Sequence, residues 1–190
     1  MRKDFGKNLV FLPLPVVVIG TYDKSGKPNA MTAAWATVYD FGKVFVSLSP
    51  HLTTKNIKAN KAFTIHFATQ ETAAMSDYFG LVSGAKQDKI AKAKAHVIKA
   101  KHVNAPIFDE YPVALECKLI SFDDGNLVGE IINVSAQDKY VSGAKIKTDK
   151  MNSIFLKSIF FLIKIYTKKM INVKIKPKNA PVEFDNNKVI

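Results

Sequence analysis

Short apolar runs separated by turn residues dominate the first 143 positions. Pro15 to Tyr22 is rich in Val and Ile and bounded by a proline, which predicts a strand. Asp23-Lys24-Ser25-Gly26-Lys27-Pro28 has the composition of a hairpin connection, and Asn29 to Val38 resumes as a second strand. Val44 to Leu48 is a third, stopped by Ser49-Pro50. Thr53 or Thr54 is placed to cap a short helix that runs through Asn60 with Ile57 facing inward. Ala62 to Phe67 alternates again as a strand. Gln70 to Tyr78 has helical spacing, with Gly80 and Gly84 opening the loop after it, and the Lys/Ala-rich stretch Lys86 to Ala95 predicts a helix with a solvated face. Pro112 to Phe122 and Asn126 to Val134 flank Asp123-Asp124-Gly125, a strong hairpin signal. Strands recur at hairpin spacing with helices inserted irregularly, which favours a small antiparallel barrel over a doubly wound parallel sheet.

The last stretch is a different kind of sequence. All nine glycines lie at or before Gly143, whereas Ile, Lys, Asn and Phe crowd residues 144–190. The reading is therefore one domain over residues 1–143, ending near Ser142, and a divergent basic segment over 144–190. Ile154 to Tyr166 and Ile171 to Lys176 have strand or amphipathic character. The segment carries +8 of the chain's net +12, so the body is only mildly basic. A mildly basic body suits an anionic cofactor as well as nucleic acid, and no specific nucleic-acid partner is expected. A hydrophobic fraction of 47% supports a real core. No apolar run reaches the roughly 18 residues of a membrane span, and no secretory leader is evident, so the expected location is cytoplasmic.

Several chemistries fall away. Cys117 stands alone in an alternating run, where a thiol packs as a small hydrophobe. His51, His66, His96 and His102 are scattered without metal-ligand spacing, so no metal site is expected. Gly80-Leu81-Val82-Ser83-Gly84-Ala85-Lys86 lacks the spacing of a nucleotide phosphate loop, and no GxGxxG occurs. Val-Ser-Gly-Ala-Lys appears at 82–86 and at 141–145, but the motifs that accompany serine acylation are missing.

Two neighbouring stretches suggest a binding site instead. Asn29-Ala30-Met31-Thr32-Ala33-Ala34-Trp35 has small side chains at Ala30, Ala33 and Ala34 that let a flat ring approach the backbone, with the Thr32 hydroxyl beside them. Ser47-Leu48-Ser49-Pro50-His51-Leu52-Thr53-Thr54-Lys55-Asn56 then brings hydroxyls, an imidazole, an amide and an ammonium to a helix start, a place suited to phosphate. Each stretch alone also fits ordinary structure, a packed core strand and a threonine cap. In sequence, they suit flavin mononucleotide.

At these residues the chain resembles the flavin reductase-like, FMN-binding split-barrel family, including its flavoredoxin branch. The resemblance runs from about Pro13 to Ser135. It rests on Pro15-Val16-Val17-Val18-Ile19-Gly20, the Asn29 to Trp35 stretch, Thr53-Thr54-Lys55-Asn56-Ile57, Ser76-Asp77-Tyr78-Phe79-Gly80-Leu81-Val82-Ser83-Gly84, and Tyr111-Pro112-Val113-Ala114-Leu115-Glu116-Cys117. It implies a mainly β fold, a six-stranded antiparallel Greek-key split barrel with short inserted helices, which dimerises and binds one FMN per subunit near the dimer interface. The ring is expected along Met31 to Trp35 with Asn29 close by. The phosphate is expected near Ser47, Leu48, Ser49, His51, Thr53, Thr54, Lys55 and Asn56, and Ser83-Gly84 borders the flavin. His51 stands where many relatives carry Arg or Lys, and residues 145–190 have no clear counterpart. The activity expected is an NAD(P)H-dependent flavin oxidoreductase in which NADH or NADPH passes hydride to the flavin N5, without a protein catalytic residue, for an unknown electron acceptor. The alternative is a non-catalytic FMN-binding electron carrier.

Overall fold

The two edges of the main sheet are joined by only two residues, and that fixes its shape. The structure, a computed structural model, describes residues 1–8 and 10–156. After β1 (Leu14–Pro15), the chain forms β2 (Val17–Tyr22), β3 (Pro28–Ala33), β4 (Ala36–Asp40) and β5 (Lys43–Ser47). Helix α1 (Leu52–Asn60), β6 (Ala62–Phe67), α2 (Ala73–Leu81) and α3 (Lys89–Ala93) follow. Then come β7 (Val97–Lys99), β8 (Pro106–Phe108), β9 (Val113–Asp123) and β10 (Asn126–Ala136), and finally the short β11 (Val141–Ser142), β12 (Lys145–Ile146) and β13 (Phe155–Leu156).

Seven of these strands make one antiparallel sheet in the order β3-β2-β6-β9-β10-β5-β4. Laid flat, six strand spacings would separate β3 from β4 by about 29 Å. The link Ala34-Trp35 reaches only about 10 Å from Ala33 to Ala36. The sheet therefore curls until its edges meet, and the seam is the split of the barrel.

The expected second strand, Asn29 to Val38, thus breaks at Ala34-Trp35 into two strands on opposite edges; counted as one, the sheet would have six. Periodicity does not show this break, because small apolar residues run straight through it. Gly80 lies inside α2 rather than in the loop after it, and α3 is shorter than the expected Lys86 to Ala95 helix. The β7–β8 hairpin was not expected at all.

Alternation sorts the core. Val17, Ile19, Met31, Val46, Ile57, Phe63, Ile65, Leu115, Cys117 and Leu127 fill the barrel interior. Val16, Val18, Ala30, Phe79, Ile90, Phe108 and Tyr111 fill a second layer between the sheet and α2–α3. Strand β2 is covered on both faces, which explains the unbroken Val16–Ile19 run. The β9–β10 turn has Asp124 at φ 45° and Gly125 at φ 80°, the two positive values that a tight hairpin needs.

Packing continues past Gly143. Met151 is buried in the barrel core, Ile154 N donates to Ala68 O at 2.9 Å, and β13 pairs with β1. The body thus extends to at least Leu156, beyond the boundary read near Ser142, because the apolar residues Met151 and Leu156 find a place on it. Ile171 to Lys176 and most of Ile154 to Tyr166 lie outside the described residues.

Candidate functional site

At the split, Ser47 N donates to Trp35 O at 2.9 Å, so the end of β5 lies against the Ala34-Trp35 link. Ala34 is buried and Ala33 half-buried, while Trp35 keeps 48% of its surface exposed. Leu48 is buried, and its N–H donates to Gly125 O at 2.8 Å, which brings the β9–β10 turn to the same rim. Ser47 is half-buried, and Ser49 and His51 are exposed. One rim therefore holds a small-side-chain wall, an indole and two serines.

Helix α1 starts from this rim. Thr54 Oγ1 accepts from His51 N at 2.9 Å and donates to His51 O at 2.8 Å, closing the cap with its only proton. The opening N–H groups of the helix have no carbonyl of their own helix to bind. The first turn holds no acidic residue, and Lys55 is exposed beside it. The partial positive charge of the helix start is thus uncancelled and suits an anion.

Not every residue expected at the phosphate faces it. Thr53 is buried and accepts from Asn29 Nδ2 at 2.8 Å. Asn56 is buried and donates to Thr21 Oγ1 at 3.1 Å. These two side chains anchor α1 to β3 and β2, and Thr54 is committed to the cap. The outward-facing donors are the helix N–H groups, Ser47, Ser49, His51 and Lys55. Met31 points into the barrel core, where an apolar chain at an inward position of β3 must go. Thr32 is half-buried and donates from Oγ1 to Ser76 O on α2.

The α2–α3 loop closes the other side. Ser83 is exposed, and Gly84 packs against the Asn29 amide and Leu52 so tightly that a Cβ there would overlap Asn29 Oδ1. Asn29, Leu52 and Gly84 border a notch of about 30 Å³ together with Asp23, Lys27 and Lys89. Lys27 pairs with Asp88 at 3.1 Å, and the Asp88 carboxyl is held below its ordinary range by the Ala91 N–H and then by Lys27.

Lys89 is the site-supporting residue that the sequence reading missed. It is buried, its Nζ donates to Phe79 O and Val82 O at 2.9 Å each, and burial pushes its pKa down to about 8. It ties the end of α2 to the loop that carries Ser83 and Gly84. Lysines at 86, 89, 92 and 94 look alike in sequence, and only the Asp88 cap next to Ile90 hints that position 89 turns inward.

The parts expected to cooperate are therefore at one end of the barrel. Ala33, Ala34, Trp35, Ser47, Leu48, Ser49, His51 and Lys55 form the rim; Asn29, Thr53, Thr54, Asn56 and Gly84 brace it from behind. An apolar wall beside acid-free N–H and hydroxyl donors fits a flat ring bearing a phosphate. His66 and Cys117 are elsewhere, buried in the packing, and among the described residues no cluster of His, Cys, Asp or Glu is arranged to hold a metal. No helix among the described residues is long and apolar enough to cross a membrane.

Known proteins share the fold. The flavin reductase like domain matches residues 9–145. The flavoredoxin of Desulfovibrio vulgaris (Miyazaki F) superposes with a TM-score of 0.79 at 30% identity, over 84% of this chain and 90% of its own. The flavoredoxin from Methanosarcina acetivorans gives 0.73 at 30% identity, over 82% and 87%. An FMN-binding domain of a flavin reductases-like enzyme from Shewanella baltica OS155 shares the fold, with a TM-score of 0.67 at 22% identity over 76% and 81%.

Proposed function

We propose that this chain, which belongs to the flavin reductase-like FMN-binding family in its flavoredoxin branch, holds FMN at the barrel split and relays reducing equivalents from NADH or NADPH to an acceptor. The coarser statement, a flavin-related oxidoreductase or electron carrier, follows from membership itself. The observation that carries the proposal is the Ser47–Trp35 backbone bond, which sets the small-residue wall beside the start of α1.

Each group has a task there. Ala33 and Ala34 leave room for the ring, and Trp35 offers an apolar face next to it. Ser47, Ser49 and the opening N–H groups of α1 bind the phosphate, with Lys55 and His51 near enough in the chain to offset its charge. Strand β3 is an edge strand, so every second N–H between Thr32 and Ala34 points away from β2. Those groups suit the polar edge of the ring, where negative charge develops on reduction. When bound, FMN supplies the hydride and electron chemistry, so no side chain needs to act as nucleophile or general acid.

The working unit in this proposal is a homodimer. Strand β4 is the other sheet edge and leaves Val38 at 76% and the adjoining Phe41 at 99% exposure, with Tyr39 exposed between them. An apolar edge of this kind calls for a cover, and a second copy that runs along β4 as far as Ala36 would reach Trp35.

An absorbance spectrum of purified protein before and after FMN titration tests the cofactor, and steady-state NAD(P)H oxidation tests the donor. Uptake of FMN with steady NAD(P)H turnover is the expected result. Uptake without turnover would favour the carrier reading, and no uptake would overturn the proposal.

A further inference from the structure

Gly84 packs on Leu52 at the start of α1, and a groove lined by two lysines lies at the end of the same helix. In the β9–β10 pair Ser121 faces Val128 and Leu119 faces Gly129, so Ile120 is an extra residue in a bulge. The bulge leaves Ile120 51% exposed. Bulges commonly re-aim a side chain, and here the re-aimed one is apolar. Next to it, Lys58 Nζ sits 4.7 Å from the centre of the half-buried Phe122 ring. Lys61 closes the end of α1, and its carbonyl accepts from Leu119 N at 2.9 Å. Lys58, Lys61 and the Leu119 to Asp123 stretch line a groove of about 350 Å³, in which Asp123 is the single carboxylate.

This patch is joined to the rim in two ways. Helix α1 begins at the rim and ends at the groove, with Lys55 exposed one turn before Lys58. The β9–β10 strands that floor the groove turn at Asp124-Gly125, and Gly125 O holds Leu48 N. A body seated on the groove would therefore lie next to Ser47–Ser49. Its chemistry is that of an interface centre with an apolar anchor and a cationic border. The two lysines that line the groove outnumber its one carboxylate, so it repels basic surfaces and draws in acidic ones.

We propose that this groove docks an acidic protein partner, a one-electron carrier that exchanges electrons at the neighbouring rim. The proposal rests on the FMN reading above. Two partner molecules each gain one electron for every fully reduced cofactor reoxidised, and two protons pass to solvent. Ile120 and Phe122 supply the apolar centre, and Lys58 and Lys61 steer and hold the carboxylates around it.

The test uses the full chain and an acidic [2Fe–2S] ferredoxin as the probe, with binding measured in about 20 mM and about 300 mM salt. The wild type is expected to bind at low salt and weaken with added salt. The double variant Lys58→Glu/Lys61→Glu is expected to bind about tenfold or more weakly at low salt and to lose most of the salt dependence. Ile120→Ser is expected to weaken binding several-fold without changing the salt slope. Equal binding by wild type and double variant, or no binding by the wild type, would overturn the proposal. So would tighter lysine-dependent binding of poly(U) RNA or of vesicles containing anionic phosphatidylserine. FMN titration of the same samples separates the two readings. Lost FMN uptake with the docking pattern intact overturns the cofactor, whereas intact uptake without the docking pattern overturns the groove.

Discussion

Asn29 Nδ2 donates to Thr53 Oγ1 across 2.8 Å of buried space, joining the first residues of the β3 wall to the first turn of α1. The two halves of the candidate site are thus bonded to each other before any ligand arrives. Gly84 lies against the same amide, leaving no room for a methyl group.

Removing that bond should therefore register at two levels. Asn29→Ala leaves a buried threonine hydroxyl without its donor, which costs about 1–3 kcal/mol of stability, visible as a lower urea midpoint. FMN affinity should fall with it, because the start of α1 loses its anchor. Gly84→Ala should destabilise by a similar amount by displacing the Asn29 side chain. The double variant should then lose clearly less than the sum of the two, since the overlap disappears with the amide. Strict additivity would mean that the two residues do not press on one another.

His66 predicts how the fold responds to acid. Its Nδ1 donates to Val18 O at 3.1 Å, and its Nε2 accepts from Phe108 N at 3.1 Å, so the buried ring is neutral with the proton on Nδ1. A second proton would have to sit between Nε2 and an N–H already pointing at it. Burial pushes the pKa down to about 4, against a smaller opposing effect of the Val18 carbonyl. The unfolded chain takes that proton near the ordinary value of 6.5 and so binds more protons than the native one between 6.5 and 4. Stability is full above 6.5 and declines as pH drops toward 4, by about 3 kcal/mol in all. Urea midpoints at pH 7, 6 and 5 should fall in sequence, and His66→Gln should flatten that decline in the range where most carboxylates stay ionised.

Much of this was legible in the residues, for identifiable reasons. The β9–β10 hairpin follows from Asp124-Gly125, which few other backbones would favour, and Ala62–Phe67 shows its alternation openly. The placement of Cys117 in the core follows from the same alternation. The break at Ala34-Trp35 was not legible, because it is imposed by closure of the sheet and not by a local breaker. The inward turn of Thr53, Thr54 and Asn56 was likewise hidden. Polar residues near a helix start serve an anion and a cap equally well on paper, and only the positions of Asn29, Thr21 and His51 decide between them. Lys89 was missed because burying an ammonium depends on the carbonyls of Phe79 and Val82, which lie ten and seven residues away in the chain.

Cys117 should be silent toward thiol reagents. Burial, reinforced by the neighbouring Glu116, pushes its pKa up to about 12, so almost no thiolate forms near neutral pH. Labelling with an aromatic disulfide at pH 8 should proceed no faster than unfolding and become rapid only in denaturant. Fast labelling of the native protein would show that the barrel opens locally along β9.

The β4 edge is open and apolar. Val38 and Phe41 are among the most exposed apolar side chains of the β4–β5 hairpin, and β4 pairs with β5 on one side only. In a two-fold dimer each substitution is met twice, once from each subunit. Val38→Lys/Phe41→Lys should therefore remove four apolar contacts of about 1.5–3 kcal/mol each at most and set four like charges against one another. Sedimentation velocity should find the wild type as a dimer and the variant as a monomer that still folds, since neither side chain belongs to the core. If the second copy also covers Trp35, the monomer should retain FMN less well, and the loss should track protein concentration in the wild type too. A wild type that stays monomeric at high concentration, or a variant that still pairs, would show that the β4 edge meets something other than its own copy.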